Sequence, residues 1–254
     1  MTTPVFVISL VSTVIVCYLI GNINFAVIFS RLFHADIRSK GSGNPGTINM
    51  LRSVGVKAAA LTMTFDILKG AAPVIGAYFI FVGCGFFPAL TGGKIWMGYY
   101  LDGASKAPMY IAGLSVILGH IFPAFMKFKG GKGAASTVGV FIAASPVIGM
   151  AAFLIGVGYL FIGKYGSVTS FIVTVIMTAV EVTFALVFDD SIVTAILVIC
   201  LCTLIFFAHR SNIKRLIRGE ESDSNLIRRF KSIINKRRAA EVETEKSQEP
   251  SDND

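Results

Sequence analysis

The chain has 254 residues, of which 54% are hydrophobic and only 15% charged, with a formal net charge of +8 and a mean hydropathy of +0.71. Soluble domains carry about 25% charged residues, so composition excludes an ordinary soluble fold and indicates a membrane protein. No stripe of basic and aromatic residues suggests a nucleic-acid partner, and Cys17, Cys84, Cys200 and Cys202 sit in or beside apolar runs without metal-type spacing, which argues against a disulfide framework or a metal centre.

A membrane-spanning helix needs roughly 20 apolar residues. The first apolar run lacks the basic start and Ala-x-Ala exit of a signal peptide, so it reads as a retained span over 5–30. It ends in a basic patch at 31–40, followed by the polar stretch GSGNPGTINML at 41–51. A second span is expected over 56–82. A polar, aromatic, glycine-containing stretch, 83–106, leads into a third span over 107–126 and then a second polar loop, KFKGGKGAAST, at 127–137. Segment 134–163 is too long for one straight crossing. Ser145-Pro146 divides it, because proline removes a helical hydrogen bond and restrains the residue before it. The expected form is a tight pair of short helices that returns to its starting side. KYGSVTS at 164–170 opens a sixth span over 168–187, and an acidic turn at Asp189-Asp190 precedes a seventh over 192–208.

Beyond this point the chain is polar. In NLIRRFKSIINKRR, 225–238, Leu226, Ile227, Phe230, Ile233 and Ile234 recur at helical spacing opposite a basic face, as in a helix lying on an anionic leaflet. The acidic end, 241–254, has a disorder-type composition. The expected organisation is a polytopic membrane domain, 1–221, and a cytoplasmic tail, 222–254. The fold class is all-α integral membrane, with about seven transmembrane helices. Loops 31–55, 127–133 and 164–167 and the segment from His209 then share one side and gather Arg31, Arg38, Lys40, Arg52, Lys127, Lys129, Lys132, Lys164 and Arg210. Positive loops stay in the cytoplasm, so the N-terminus is expected outside and the C-terminus inside.

The polar loops carry the chemistry. Glycines let backbone approach a ligand, and exposed N–H groups at helix N-termini bind anions. Ser42, Asn44, Thr47 and Asn49 offer neutral hydrogen bonds and Arg52 a charged fork. Gly130-Gly131-Lys132-Gly133 sets a lysine among glycines at a helix start, without the GxxxxGK[ST] pattern of a P-loop. His209 and Asn212 share a face if the last helix continues. His120, just before Ile121-Phe122-Pro123, either meets a ligand or bonds a carbonyl freed by the proline. Asp66 and Lys69 are placed to pair, whereas Glu181 has no partner near it in sequence. An intramembrane carboxylate can mark a transport path, so a transporter for a small anionic metabolite is the alternative reading. No GxSxG elbow, HExxH or His-x4-Asp pattern occurs, which leaves a covalent acyl-enzyme unsupported.

SGNPGTIN, DILKG, GHIFPAFMKFKGGKG and HRSNIKRLIRGEE, in this order, resemble the bacterial acyl-phosphate:glycerol-3-phosphate acyltransferases over about 5–221. The resemblance implies a cell-membrane enzyme of phospholipid synthesis with its active site facing the cytoplasm and no cofactor or metal. It implies acyl phosphate as donor, glycerol 3-phosphate as acceptor, and lysophosphatidic acid and phosphate as products. Membrane lipid surrounds it, and the upstream acyl-phosphate-forming enzyme is a candidate partner. By motif, Ser42, Arg52 and Lys132 would hold glycerol 3-phosphate. Asn44, Gly46 and the rest of the glycine loop backbone, Ser167, His209 and Asn212 would surround the donor's phosphate. Where the family loop reads SGNxGATN, this chain has Thr47 one place early and Ile48 in the hydroxyl's position.

Overall fold

A computed structural model describes residues 3–83, 95–96, 99–100, 106–187 and 191–223. The acidic turn at Asp189-Asp190, the helix expected at 225–238, the acidic end and most of 83–106 lie outside the described residues. Ten α-helices account for most of the described residues: α1 Thr3–Gly21, α2 Phe25–Leu32, α3 Thr47–Ser53, α4 Val56–Tyr78, α5 Ala107–Ile121, α6 Ala134–Ala144, α7 Pro146–Ile162, α8 Gly166–Val187, α9 Ile192–Ala208 and α10 Arg210–Ile217. A two-residue antiparallel ladder pairs Ile95–Trp96 with Tyr99–Tyr100.

Four described segments are long and apolar enough to cross a membrane: Pro4–Leu32, Val56–Phe81, Ala107–Met126 and Gly166–Val187. Ile192–Ala208 joins Arg210–Ile217 through a 58° bend and adds a fifth candidate. Their outward faces carry exposed apolar side chains such as Ile8, Leu68, Leu186 and Ile196. That pattern suits a lipid surround and would be anomalous in water.

The first span differs from the single helix expected over 5–30. It breaks at Asn22–Asn24, and polar groups absorb the break: Asn24 accepts from the Val27 N–H at 3.0 Å, Asn22 donates to the Tyr18 carbonyl at 2.6 Å, and the Lys69 ammonium donates to the Ile23 carbonyl at 2.8 Å. The expected pair across 134–163 is found as α6 and α7, 11 and 17 residues long. Helix α6 is shorter than a straight crossing needs, and α7 is at the lower limit. A Cβ on Gly149 would lie 2.7 Å from the Ile142 Cα, so the chain folds sharply back at Ser145. Two further departures concern the loops. The first polar loop contains α3, and α5 stops at Ile121, ahead of Pro123.

The hydrophobic core lies where α1, α4, α5, α6, α8 and α9 meet, around Val74, Tyr110, Val116, Phe141, Met177 and Leu201. Helices α4 and α6 cross at backbone contact. A Cβ on Gly139 would lie 2.0 Å from the Ile67 carbonyl oxygen, and one on Gly70 would lie 2.0 Å from that of Ser136. Small residues drive such crossings in lipid, where apolar burial gives no advantage over contact with acyl chains. Gly139→Val is therefore expected to force the two helices apart and cost about 3 kcal/mol. A lowered unfolding temperature in detergent would register this, and an unchanged one would refute the tight crossing.

At the far end of α5 and α6, a buried polar cluster closes the bundle. The Lys106 ammonium donates to Ser145 Oγ at 2.8 Å and pairs with Glu181 Oε2 at 3.2 Å, while the Ser145 hydroxyl donates to Glu181 Oε1. Glu181 thus has its partner 75 residues away in sequence. The cluster ties the start of α5 and the α6–α7 corner to α8. The expected Asp66–Lys69 pair is present at 2.8 Å, with both side chains buried.

Candidate functional site

At the opposite end from the Lys106 cluster, the four polar segments meet. A cavity of ≈ 180 Å³ is bordered by Ser42, Asn44, Gly46, Thr47, Asn49 and Arg52 from the first loop and α3, and by Lys132 and Gly133 ahead of α6. Ser167 at the start of α8, with His209 and Asn212 at the α9–α10 bend, completes the polar wall. The start of α6 and the end of α7 both reach this cavity. Away from this mouth the cavity is mostly apolar, lined by Met63 and Ile67 of α4, Val138 of α6, Phe153, Val157 and Leu160 of α7, and Val173 of α8, with Asp66, His120, Thr169, Ser170 and Thr174 as further polar lining.

The first loop is organised by Asn49. Its Oδ1 accepts from the Ser42 N–H at 3.1 Å, and its Nδ2 donates to the carbonyls of Lys40 and Asn44, each at 3.0 Å. Asn49 is buried and its amide is occupied in holding the turn, so it shapes the wall more than it offers free bonds to a ligand. Thr47 and Ile48 both reach the cavity, and among the described residues Thr47 Oγ1 has no partner. The early threonine thus presents a hydroxyl to the cavity beside the apolar Ile48.

In the second loop, Gly130 and Gly131 stand behind the cavity wall instead of on it. Their N–H groups donate to the Ile121 and His120 carbonyls at 3.0 and 3.1 Å, which are among the carbonyls that the end of α5 leaves open. Space explains the glycines: a Cβ on Gly130 would lie 2.0 Å from the His120 oxygen, and one on Gly131 2.3 Å from His120 Nε2. These two N–H groups are therefore not an anion nest. Gly133 takes a left-handed conformation, φ 80°, and turns the chain into α6. The first turn of α6, at Ala134 and Ala135, borders the cavity with N–H groups that have no intrahelical acceptor. His120 lies under the loop, borders the cavity and meets the Lys69 ammonium at 2.7 Å through Nδ1. Since an ammonium only donates, Nδ1 accepts and the proton sits on Nε2.

The third and fourth segments are joined by Glu221. Its Oε1 accepts from Asn212 Nδ2 at 2.7 Å and from Ser167 Oγ at 3.1 Å, and its Oε2 pairs with Arg215 Nε at 2.8 Å. This fixes the Asn212 amide so that its Oδ1 accepts from the Lys132 ammonium. His209 Nδ1 lies 2.9 Å from the Ile205 carbonyl oxygen, which can only accept, so Nδ1 carries the proton and Nε2 is left as an acceptor. The helix does not run straight through these residues as expected; it bends at His209, and the bend is what turns Asn212 toward Lys132. Arg52 holds the segment after Glu221, donating to Ser222 Oγ at 2.5 Å and to its carbonyl at 3.0 Å.

The mouth is electropositive. Lys132, Arg52 and Arg215 surround one carboxylate, Glu221. Burial opposes Glu221 ionisation, but the bonds from Asn212, Arg215 and Ser167 outweigh it and hold the group below the usual carboxylate range. Burial first, then Arg215 and Arg52 against the pull of Glu221, brings the Lys132 ammonium down to about 8. The arrangement can hold a phosphate-type anion at the mouth and an aliphatic chain in the apolar branch.

Sequence reasoning did not single out Thr137, Arg215 or Glu221 as site residues. Arg215 and Glu221 lie within the HRSNIKRLIRGEE string, and Thr137 ends the KFKGGKGAAST string.

The family model for glycerol-3-phosphate acyltransferase matches residues 11–219. A glycerol-3-phosphate acyltransferase of Thermoanaerobacter sp. (strain X514) is 40% identical over 216 residues, covering 84% of this chain and 94% of the relative. One from Paraburkholderia xenovorans (strain LB400) is 38% identical over 213 residues, covering 82% and 87%. The fold is similar to the crystal structure of PlsY (YgiH), an integral membrane glycerol 3-phosphate acyltransferase, in its glycerol 3-phosphate form. The TM-score is 0.71 at 31% identity, over 87% of this chain and 98% of that one. The lysophosphatidic acid form of the same protein superposes with a TM-score of 0.68. Matched along most of its length and built on the same helical fold, the chain belongs to the glycerol-3-phosphate acyltransferase family.

Proposed function

We propose that this chain transfers a fatty acyl group from acyl phosphate to the 1-hydroxyl of sn-glycerol 3-phosphate, releasing lysophosphatidic acid and phosphate. One observation carries the reading: a single cavity combines an electropositive mouth with an apolar branch between α4, α6, α7 and α8. Both proposed substrates are phosphate-bearing and one has a long alkyl chain. The relatives point the same way, since PlsY has been solved in glycerol 3-phosphate and lysophosphatidic acid forms.

An acyl phosphate is a mixed anhydride with a good leaving group. Catalysis then needs alignment and charge stabilisation more than a protein nucleophile. Lys132, Arg52 and Ser42 hold the acceptor's phosphate, and the first turn of α6 with Asn44 and Asn212 holds that of the donor. The glycerol hydroxyl attacks the acyl carbonyl directly, and its proton ends on the released phosphate, through His209 Nε2 or a phosphate oxygen. The mouth faces the cytoplasm of a bacterial cell membrane, which the chain crosses seven times with its N-terminus outside.

Donor identity is the test. Purified protein with labelled glycerol 3-phosphate and palmitoyl phosphate is expected to yield labelled lysophosphatidic acid. Product from acyl-CoA or acyl-carrier protein alone would overturn the donor assignment. The Lys132 ammonium also sets a pH limit. It is charged below about pH 8 and neutral above, so kcat/KM is expected to fall about tenfold per pH unit on the alkaline side. A profile flat to pH 10 would remove Lys132 from anion binding.

A further inference from the structure

We infer that Thr137 is a catalytic residue, whose hydroxyl donates a hydrogen bond to the acyl carbonyl oxygen of the donor as that oxygen becomes negative. The inference rests on the acyl-phosphate reading above and adds to it the group that stabilises the oxyanion. Helical threonines and serines in this protein commonly satisfy their hydroxyls on the carbonyl one turn back. Thr62 bonds Ala58 at 2.8 Å, Ser115 bonds Ile111 at 2.7 Å and Thr203 bonds Ile199 at 2.9 Å. Thr137 does not. Its side chain lines the cavity, the residue is 1% exposed, and its Oγ1 has no partner among the described residues. A buried hydroxyl left without a partner costs about 1–3 kcal/mol, a cost that a ligand group in the cavity removes.

Position gives the group its role. Thr137 stands one turn inside α6, about 4.5 Å along the axis from Ala134. Ala134 opens the helix beside Lys132 at the polar mouth, and Val138, the next residue, begins the apolar branch. An acyl phosphate lying along this line has its phosphate at the helix N-terminus and its alkyl chain beyond Val138. Its carbonyl oxygen, three bonds from phosphorus, falls in the zone of Thr137. When the glycerol oxygen bonds to the carbonyl carbon, the π electrons of the C=O move onto that oxygen, and the Thr137 O–H donates to it. Collapse restores the C=O and breaks the bond to the phosphate oxygen. Phosphate leaves with the electron pair and takes up the glycerol proton.

Thr137→Val keeps the shape and removes the donor. It is expected to lower kcat with acyl phosphate by about 10²–10³-fold, with KM for glycerol 3-phosphate unchanged. Thr137→Ser, which keeps the hydroxyl, is expected to retain most of the rate. Thr203→Val, at an exposed position on α9, controls for the substitution itself. Wild-type kcat in Thr137→Val would overturn the inference while leaving the donor assignment standing. Absence of product from acyl phosphate with the unaltered protein would overturn both. Should the valine variant fail to fold, the ratio of Thr137→Ser to Thr137→Ala rates reads the hydroxyl instead, and a ratio near one would overturn the inference.

Discussion

Lys132→Ala is expected to lower kcat/KM by about 10³ while leaving the protein folded. Lys132 lies at the junction of the second and fourth polar segments, with its ammonium on Asn212 Oδ1 and the Asn212 amide held in turn by Glu221. It also stands two residues before the first residue of α6, whose first turn borders the same cavity. A substrate dianion there replaces the poor company of Arg52 and Arg215, which otherwise drain the lysine's charge. Lys132→Arg sharpens the test. Guanidinium stays charged across the accessible pH range, so residual activity in this variant is expected to lose the fall above about pH 8. If Lys132→Ala turned over at the normal rate, the proposed mouth would be the wrong place for the chemistry.

Lys106→Met is expected to cost about 3 kcal/mol of stability, although the residue is at the opposite end of the bundle from the cavity. The substitution strands the Glu181 carboxylate, which is buried against Ser145 and α8. Truncating one partner of a buried pair leaves an uncompensated charge, whereas removing both is often nearly neutral. Lys106→Met with Glu181→Leu is therefore expected to recover most of the loss. Unfolding temperatures of the two single variants and the double variant form the cycle. Additive losses would show that the two side chains do not act as a pair. The pair also reads on the transporter alternative, because Glu181 is engaged at 3.2 Å by Lys106 in place of standing unpartnered along a path.

The helices were the most legible part of the sequence, because continuous apolar runs leave little freedom. Helix α9, Ile192–Ala208, lies where the run predicted it, and Ser145-Pro146 marked the α6–α7 corner. Breaks stabilised by distant partners were not legible. Nothing local to Asn22–Asn24 announces that Lys69, 46 positions later, will bond the Ile23 carbonyl. Most of the candidate site could be named in advance, since amides, hydroxyls and cations are conspicuous in an apolar chain. What composition could not assign was which of them face the cavity. Asn49 turned out to be the internal brace of its loop, and Gly130 and Gly131 serve close packing against α5. Glu221 was missed for the same reason that Lys106 and Glu181 were not paired beforehand: their roles depend on contacts between elements far apart in the chain.

In the proposed reaction two substrates meet in one cavity and exchange the acyl group without a protein-bound intermediate. Intact-protein mass spectrometry on samples quenched during turnover tests this most directly, with palmitoyl phosphate present and glycerol 3-phosphate either supplied or withheld. The expected result is unmodified protein in both arms, with lysophosphatidic acid and phosphate formed one to one where the acceptor is supplied. Protein heavier by one acyl group when the acceptor is withheld, chasing into lysophosphatidic acid on its addition, would contradict it.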